Sequence, residues 1–223
     1  MHGDALHNDA LTVLRAWSPP DPMQGRLRQE YLDHLLREPD GLSRDCRPDH
    51  LTAGALVFSA DRRHVLLTLH AKAHAWFHLG GHCEPEDTTL VGAALREATE
   101  ESGMGGLQLD PVPVQLDRHE VRFCGPGTAA VRHLDVRFVA CAPAGAEHAV
   151  SAESLDVRWW PVDALPPEAE DLPALVEQGL ARLREPQNKV AGPAGWTRSS
   201  GSSGSASSGS AASSGSAAPS ASA

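Results

Sequence analysis

The sequence predicts a mixed α/β layer fold of the α+β kind, a sheet between helices, with a helical N-terminal extension. Three observations lead there. Two runs with helically spaced apolar residues open the chain. From Leu51 the texture changes to short β-rich runs broken by turn residues. A strong amphipathic helix interrupts these strands, and another helix closes them. Residues 1–48 read as the extension, 49–187 as the main domain and 188–223 as a tail.

The first helix is "DALTVLRAW", stopped by "SPPDP". The second lies in "GRLRQEYLDHLLREPDGL", where Leu27, Tyr31, Leu32, Leu35 and Leu36 form a stripe ended by Pro39 and Gly41. This extension reads as a packing appendage, with a substrate cover or a homodimer contact as the sharper alternatives. "LTAGALVF" and "HVLLTLH" are strands joined by the hairpin loop "SADRR". A glycine-rich, acid-bearing loop follows, "GGHCEPED". A helix then runs from about Thr88 to Ser102, with Asp87 as its N-cap candidate. "PVPVQLDRHEVRF", "VRHLDVRFVACAP" and "SLDVRWWPV" are further strands, the last closed by Pro161, and "PEAEDLPALVEQGLARLRE" is the final helix. Residues 199–223 are almost entirely Ser, Gly and Ala. Such a segment buries too little apolar surface to offset its ordering entropy, so disorder is expected, whether the tail is natural or an appended linker.

Composition narrows the function. The chain has 223 residues, 41% hydrophobic and 22% charged, as in soluble globular proteins. A net charge of −10 argues against binding duplex nucleic acid, where phosphate neutralisation dominates. Small phosphorylated ligands stay open, because a divalent cation can meet their charge. No apolar run approaches the roughly 20 residues of a membrane helix. The opening residues lack a secretory signal, so a cytoplasmic protein is expected. Cys46, Cys83, Cys124 and Cys141 form no C-x-x-C pair. Reduced thiols are therefore expected, not a disulfide framework or a zinc ribbon.

The most informative stretch is "GGHCEPEDTTLVGAALREATEESGM". On a helix turning about 100° per residue, Glu101 lies about 40° to one side of Glu97 and Glu100 about 60° to the other. Three carboxylates share one face, beside an apolar sector of Val91, Ala94, Leu95, Ala98 and Ser102. Like charges at this spacing repel, and Glu100 and Glu101 also oppose the dipole at the helix C-terminus. A hard divalent cation removes that conflict, because Mg²⁺ takes carboxylate, water and phosphate oxygens together. A merely solvated acidic face is the alternative. Arg96, the glycines upstream and Gly103 at the C-cap weigh against it.

"REATEESGM" resembles the core of the Nudix box, G-x5-E-x7-R-E-U-x-E-E-x-G-U, where U is a bulky aliphatic. Arg96, Glu97, Glu100, Glu101, Gly103 and Met104 match; Ala98 departs at the first U. Five residues after Gly81 comes Asp87 instead of Glu, and eight residues instead of seven separate Asp87 from Arg96. The extra residue falls in "DTTLVGA", where a loop can absorb it without rotating the helix acids. "LLTLHAKAHAWFHLGGHCEPED" resembles a branch of the family with G-G-H-x-E-x-x-D, and "SLDVRWWPVDALP" resembles the common family ending. The resemblance covers roughly residues 50–185.

The resemblance implies a mixed Nudix sheet and hydrolysis of a phosphoanhydride in a nucleoside diphosphate derivative. It implies Mg²⁺, with Mn²⁺ as a substitute, held by Glu97, Glu100, Glu101 and the Gly81 carbonyl. Arg96 would position a site carboxylate through a bidentate pair. The general base is left open among the helix glutamates, Glu120, Glu147 and Glu153. The role of Asp87, against that of Glu84 or Glu86, is open as well. Two rival functions stand beside this one: a catalytically silent nucleotide-binding regulatory module, and an enzyme like the isoprenoid diphosphate isomerases, for which Cys83 would be the candidate cysteine.

Other residues attract blander readings. His70, His74, His78 and His82 recur every four residues, which is read as chance clustering over a soft-metal site. His82 has the best claim of these to touch phosphate. Trp76 is expected to pack under the glycine loop. Trp159 and Trp160 should include one core residue, and Lys72 should be solvated or meet a phosphate.

Overall fold

A computed structural model of the chain describes residues 2–121, 124, 131–150 and 154–185. The tail from residue 188 onward, and Glu153, lie outside them. Helices α1 (His2–Ala16) and α2 (Pro22–Arg37) come first. Strands β1 (Asp49–Phe58), β2 (His64–His70), β3 (Trp76–Phe77) and β4 (Leu79–His82) follow. Helix α3 (Leu90–Ser102) precedes β5 (Gln108–Leu109), β6 (Gln115–Val121), β7 (Val131–Cys141) and β8 (Ser154–Pro161), and α4 (Leu172–Arg184) closes the described chain.

Strand β1 organises one mixed sheet. It runs parallel to β7 along its whole length, from Asp49 opposite Arg132 to Phe58 opposite Cys141. Its other edge is shared. Val57 and Phe58 pair antiparallel with β2, while Thr52 to Ala55 pair antiparallel with β4. Strands β6 and β5 extend the sheet beyond β7, and β3 and β8 extend it beyond β2.

Alternation along β1 assigns the two faces. Leu51, Ala53, Ala55 and Val57 join the core made with α1, α2 and α3. Leu56 and Phe58 join a second core closed by Leu172, Leu175 and Val176 of α4. Toward the start of β1 this second face turns polar, and there it carries His50 and Thr52.

Several boundaries differ from those expected. Helix α2 begins inside "SPPDP", because Pro22 at its first turn needs no donor and Asp21 caps it, accepting from the Met23 and Gln24 amides. Leu36 of its predicted stripe is 62% exposed. The segment read as a glycine loop begins as strand β4, since Gly80 and Gly81 pair with Gly54 and Ala53, and turns to loop only after His82. The strand read from Pro111 starts at Gln115, and the last helix starts at Leu172 instead of near Pro167. Trp76 is buried as expected, edge-on to Trp160 at 5.3 Å. Trp159 and Trp160 are both only half-buried, one against each core.

Candidate active site

Helix α3 is fixed at both ends. Thr89 is the N-cap, and its Oγ1 accepts from the Gly92 amide at 3.0 Å. The Leu90 amide donates to the Asp9 carboxylate of α1 at 2.8 Å. Burial raises the Asp9 pKa, and the Leu90 hydrogen bond opposes that rise. At the other end Gly103 adopts the left-handed conformation, φ 68°, and its N–H reaches the Thr99 carbonyl at 2.8 Å. The buried face is Leu90, Ala93, Ala94, Ala98 and Ser102, together with Glu101. Small residues there let the helix lie close to β1 and β4.

Asp87 therefore does not cap the helix. It is turned inward and buried, and it accepts three hydrogen bonds. Arg96 donates two, Nε to Oδ1 at 3.2 Å and Nη2 to Oδ2 at 2.9 Å, and the Glu84 amide donates the third at 2.8 Å. The extra residue between Asp87 and Arg96 lies in the turn before Thr89, where it leaves this pair free to form. The side chains of Glu84 and Glu86 are exposed. The loop acid is Asp87.

Arg96 is the hub of the cluster. Besides Asp87, its Nη1 donates to Glu97 Oε1 and Glu100 Oε2, each at 3.0 Å, and its Nη2 donates to the His82 carbonyl at 2.9 Å. The hydrogen bond to Asp87 leads in raising its pKa, so the guanidinium stays charged. One cation thus braces two neighbouring glutamates against their mutual repulsion.

The carboxylates face the glycine strand directly. Glu101 is buried and accepts from the Gly80 amide at 2.9 Å. Gly81 lies beneath Glu97: a Cβ built there would stand 2.7 Å from Glu97 Oε2. That cradle has room only for hydrogen. Glu100 is the outermost of the three, its side chain 60% exposed. Gly81, Arg96, Glu97, Glu100 and Glu101 are thus brought into one cluster, with Asp87 added. Its donors are hard oxygens, a set that suits Mg²⁺ or Mn²⁺ and not a soft ion.

The base candidates separate. Glu120 is exposed on β6, beyond β7. Glu147 is exposed on a loop that docks on the end of α3, where the Ala149 amide donates to the Ser102 carbonyl at 2.7 Å. Cys83 belongs to the apolar core, and burial pushes its thiol up to about 12, which leaves it poorly suited to proton transfer. Lys72 is exposed. A groove of about 420 Å³ opens at the hairpin end of β1, lined by Ser59, Asp61, His64, Ala146 and Trp159 among others, and no box residue lines it.

Sequence reasoning missed a charged cluster on the opposite face of the sheet. Arg137 is 2% exposed and binds Asp135, Asp117, Asp171 and Gln115. Burial acts against the Asp135 charge, yet the hydrogen bond from His78 and the charge of Arg137 hold its carboxyl well below the usual range. A signal was available: in "RHLDVRFV" the polar residues His133, Asp135 and Arg137 recur at every second position, between apolar ones. That alternation places the three polar side chains together on one face of the strand. The histidine run also resolves differently from its spacing. His70 ends β2 and His74 lies in the turn after it, and His78 pairs with Asp135 at 3.2 Å. His82 instead joins His50 and His133, with ring centroids 4.9 to 5.1 Å apart. Burial, followed by the neighbouring His50, lowers His82 to about 4, and burial lowers His133 to about 3.

Comparison with known proteins gives the following. A family model described as NUDIX domain matches residues 48–179. No curated protein matches the chain. Among solved structures, a NUDIX-family hydrolase from Clostridium perfringens is 22% identical, with TM-score 0.47, covering 60% of this chain and 97% of that one. A C. elegans Ap4A hydrolase is 17% identical, with TM-score 0.45, covering 60% and 96%. The NUDIX domain of Shewanella oneidensis NrtR, solved with ADP ribose, is 22% identical, with TM-score 0.46, covering 63% and 92%.

Proposed function

Because the chain belongs to the Nudix family, we propose that it is a pyrophosphohydrolase that cleaves a phosphoanhydride in a nucleoside diphosphate derivative. The observation that carries this reading is the assembled cluster itself. Glu97 and Glu101 meet the Gly80–Gly81 strand, and one arginine braced by Asp87 holds Glu97 and Glu100.

Glu97, Glu100 and Glu101, with the Gly81 carbonyl as a backbone donor, would hold Mg²⁺ or Mn²⁺. When bound, such a cation neutralises charge building on the phosphate oxygens and helps orient the attacking water. The chain's own residues do the rest. Arg96 holds the Glu97 and Glu100 carboxylates at fixed positions, so the substrate meets a preorganised set of acceptors. The Gly80 amide fixes Glu101 in the same way. Water adds to phosphorus, its proton passes to a carboxylate, and the bridging P–O bond breaks with departure of the leaving phosphate. A helix glutamate is one candidate for that proton. Glu147 is the other, because its loop is anchored to the end of α3.

A silent binding module would have no use for three repelling acids on one helix face. An isomerase reading is weakened by the packing of Cys83 in the core. Among the described residues no helix is long and apolar enough to cross a membrane.

The test is direct. The protein is incubated with Mg²⁺ or Mn²⁺ and a panel of nucleoside triphosphates, dinucleoside polyphosphates and nucleotide sugars, and phosphate or nucleotide release is measured. Wild type should turn over at least one class. Glu101→Gln should be slower by about a hundredfold or more, since several kcal/mol of transition-state charge stabilisation depend on the cluster. No turnover of any substrate, with wild type and variant alike, would sink the reading.

A further inference from the structure

Strand β4 carries two sets of metal-binding groups, one on each face. Gly81 lies on the face that meets the oxygen cluster of α3. His82, one residue on, lies on the other face and meets nitrogen and sulfur. His50 on β1 is directly opposite His133 on β7, and His82 on β4 is opposite Thr52, two residues along β1 from His50. The register therefore places three imidazoles on one face as a nearly equilateral triangle, with centroids 5.1, 5.0 and 4.9 Å apart. Cys124 stands against them, its Sγ 3.3 Å from His82 Nε2 and 3.8 Å from His50 Nε2.

We propose that His50, His82, His133 and Cys124 form a tetrahedral Zn²⁺ site, separate from the hydrolytic centre. One potential ligand atom from each of the four lies within 4.8 Å of the other three. Zn–N bonds of about 2.0–2.1 Å and a Zn–S bond of about 2.3 Å put the edges of such a tetrahedron at about 3.3–3.6 Å. Two contacts already lie near that range, and the longest separation, no more than 4.8 Å, needs to contract by at most about 1.2–1.5 Å. The ring nitrogens are prepared for it. His50 Nδ1 lies 3.2 Å from the Cys46 carbonyl, and a carbonyl only accepts, so this nitrogen carries the proton and Nε2 presents its lone pair toward the sulfur. His133 Nε2 is buried with no hydrogen-bond partner among the described residues. A buried, unpartnered imidazole nitrogen among two other imidazoles and a thiol is costly in the free protein. A cation that takes the lone pairs removes that cost.

Chemistry separates the two sites. Three nitrogens and a thiolate favour Zn²⁺, whereas the glutamate cluster favours Mg²⁺ or Mn²⁺. All four zinc ligands come from the protein, so the site is closed and structural. It ties Cys124, beyond the end of β6, to β1, β4 and β7. It also clamps His82, whose carbonyl accepts from Arg96 at 2.9 Å.

Co²⁺ titration of the metal-stripped protein, kept reduced with a phosphine, reads the site. Expected are one equivalent bound, the visible bands of tetrahedral Co²⁺ and a near-ultraviolet thiolate-to-cobalt band, all displaced by one equivalent of Zn²⁺. Cys124→Ser should lose the thiolate band, His133→Ala should lose the tetrahedral spectrum, and Glu101→Gln should keep both. The wild-type spectrum decides even where a variant folds poorly. An octahedral spectrum without a thiolate band, no equimolar binding, or a signal that follows Glu101 and not Cys124 would overturn the proposal. None of these readouts depends on hydrolysis, so the zinc site and the enzyme reading can fail independently.

Discussion

Replacing Asp87 by Asn tests whether the loop acid is the strut of the site. The change is nearly isosteric but removes the charge. In the wild type Asp87 accepts from Arg96 Nε, Arg96 Nη2 and the Glu84 amide, and its side chain is 8% exposed. An amide can keep only one acceptor oxygen, and its NH₂ group would face a donor of the guanidinium. Hydrogen bonds to charged groups contribute about 1.5–3 kcal/mol each, and the loss of roughly one is the minimum expected. For a domain of this size that lowers Tm by about 3–12 °C, at about 2–4 °C per kcal/mol. Catalysis should suffer more than stability. Arg96 also holds Glu97 and Glu100, and a displacement of about 1 Å in such positioning costs about a hundredfold in rate. Differential scanning fluorimetry and turnover of the best substrate measure the two effects. Glu86→Gln is the control, since an exposed side chain should change stability by no more than about 0.5 kcal/mol. A variant melting within about 1 °C of wild type, with turnover unchanged within about twofold, would refute the strut and leave Asp87 a bystander.

Two further predictions follow from the same geometry. Asp9→Ala should remove the acceptor for the first amide of α3 and cost about 1 kcal/mol, or about 2–4 °C in Tm; an unchanged melt would show that the contact carries no weight. The Asp117–His119 pair should stabilise within a limited pH window. Burial opposes both charges, yet the hydrogen bond between them leaves the Asp117 pKa lowered and the His119 pKa raised. The aspartate's contribution is full above about pH 3.9 and is lost as pH falls through its folded value. The histidine's is full below about pH 6.5 and is lost as pH rises through its folded value. The stability difference between wild type and Asp117→Asn in urea should therefore peak between about pH 4 and 6.5. A difference that does not fall on either side of that window, toward lower or higher pH, would contradict the pairing.

Much of this was legible in the sequence, and the failures have physical causes. The three glutamates of α3 could be placed on one face because helical geometry depends only on spacing. The long strands β1, β2 and β7 could be read because apolar runs of that length have few alternatives. Strand β4 could not, because Gly80 and Gly81 carry no side-chain signal; only pairing with Gly54 and Ala53 makes them strand. Asp87 looked like a cap because local sequence cannot see Arg96 folding back onto it. The histidines were grouped by sequence interval, whereas sheet register joins His82 to residues 32 and 51 positions away (His50 and His133). Spacing in β7 could put Arg137 on one face with His133 and Asp135, but not its burial, because its partners Asp117 and Asp171 come from other elements.

The bond from the Leu90 amide to Asp9 also has a temporal side. The two residues are 81 positions apart, and synthesis proceeds from the N-terminus. By the time the box helix leaves the ribosome, α1 and its carboxylate have long been outside. The Leu90 amide meets a waiting acceptor, so the helix that carries three repelling glutamates need not search for it. A nascent chain lacking α1 would leave the Leu90 amide without this acceptor, and the first turn of α3, held by Thr89 alone, would be the end to fray.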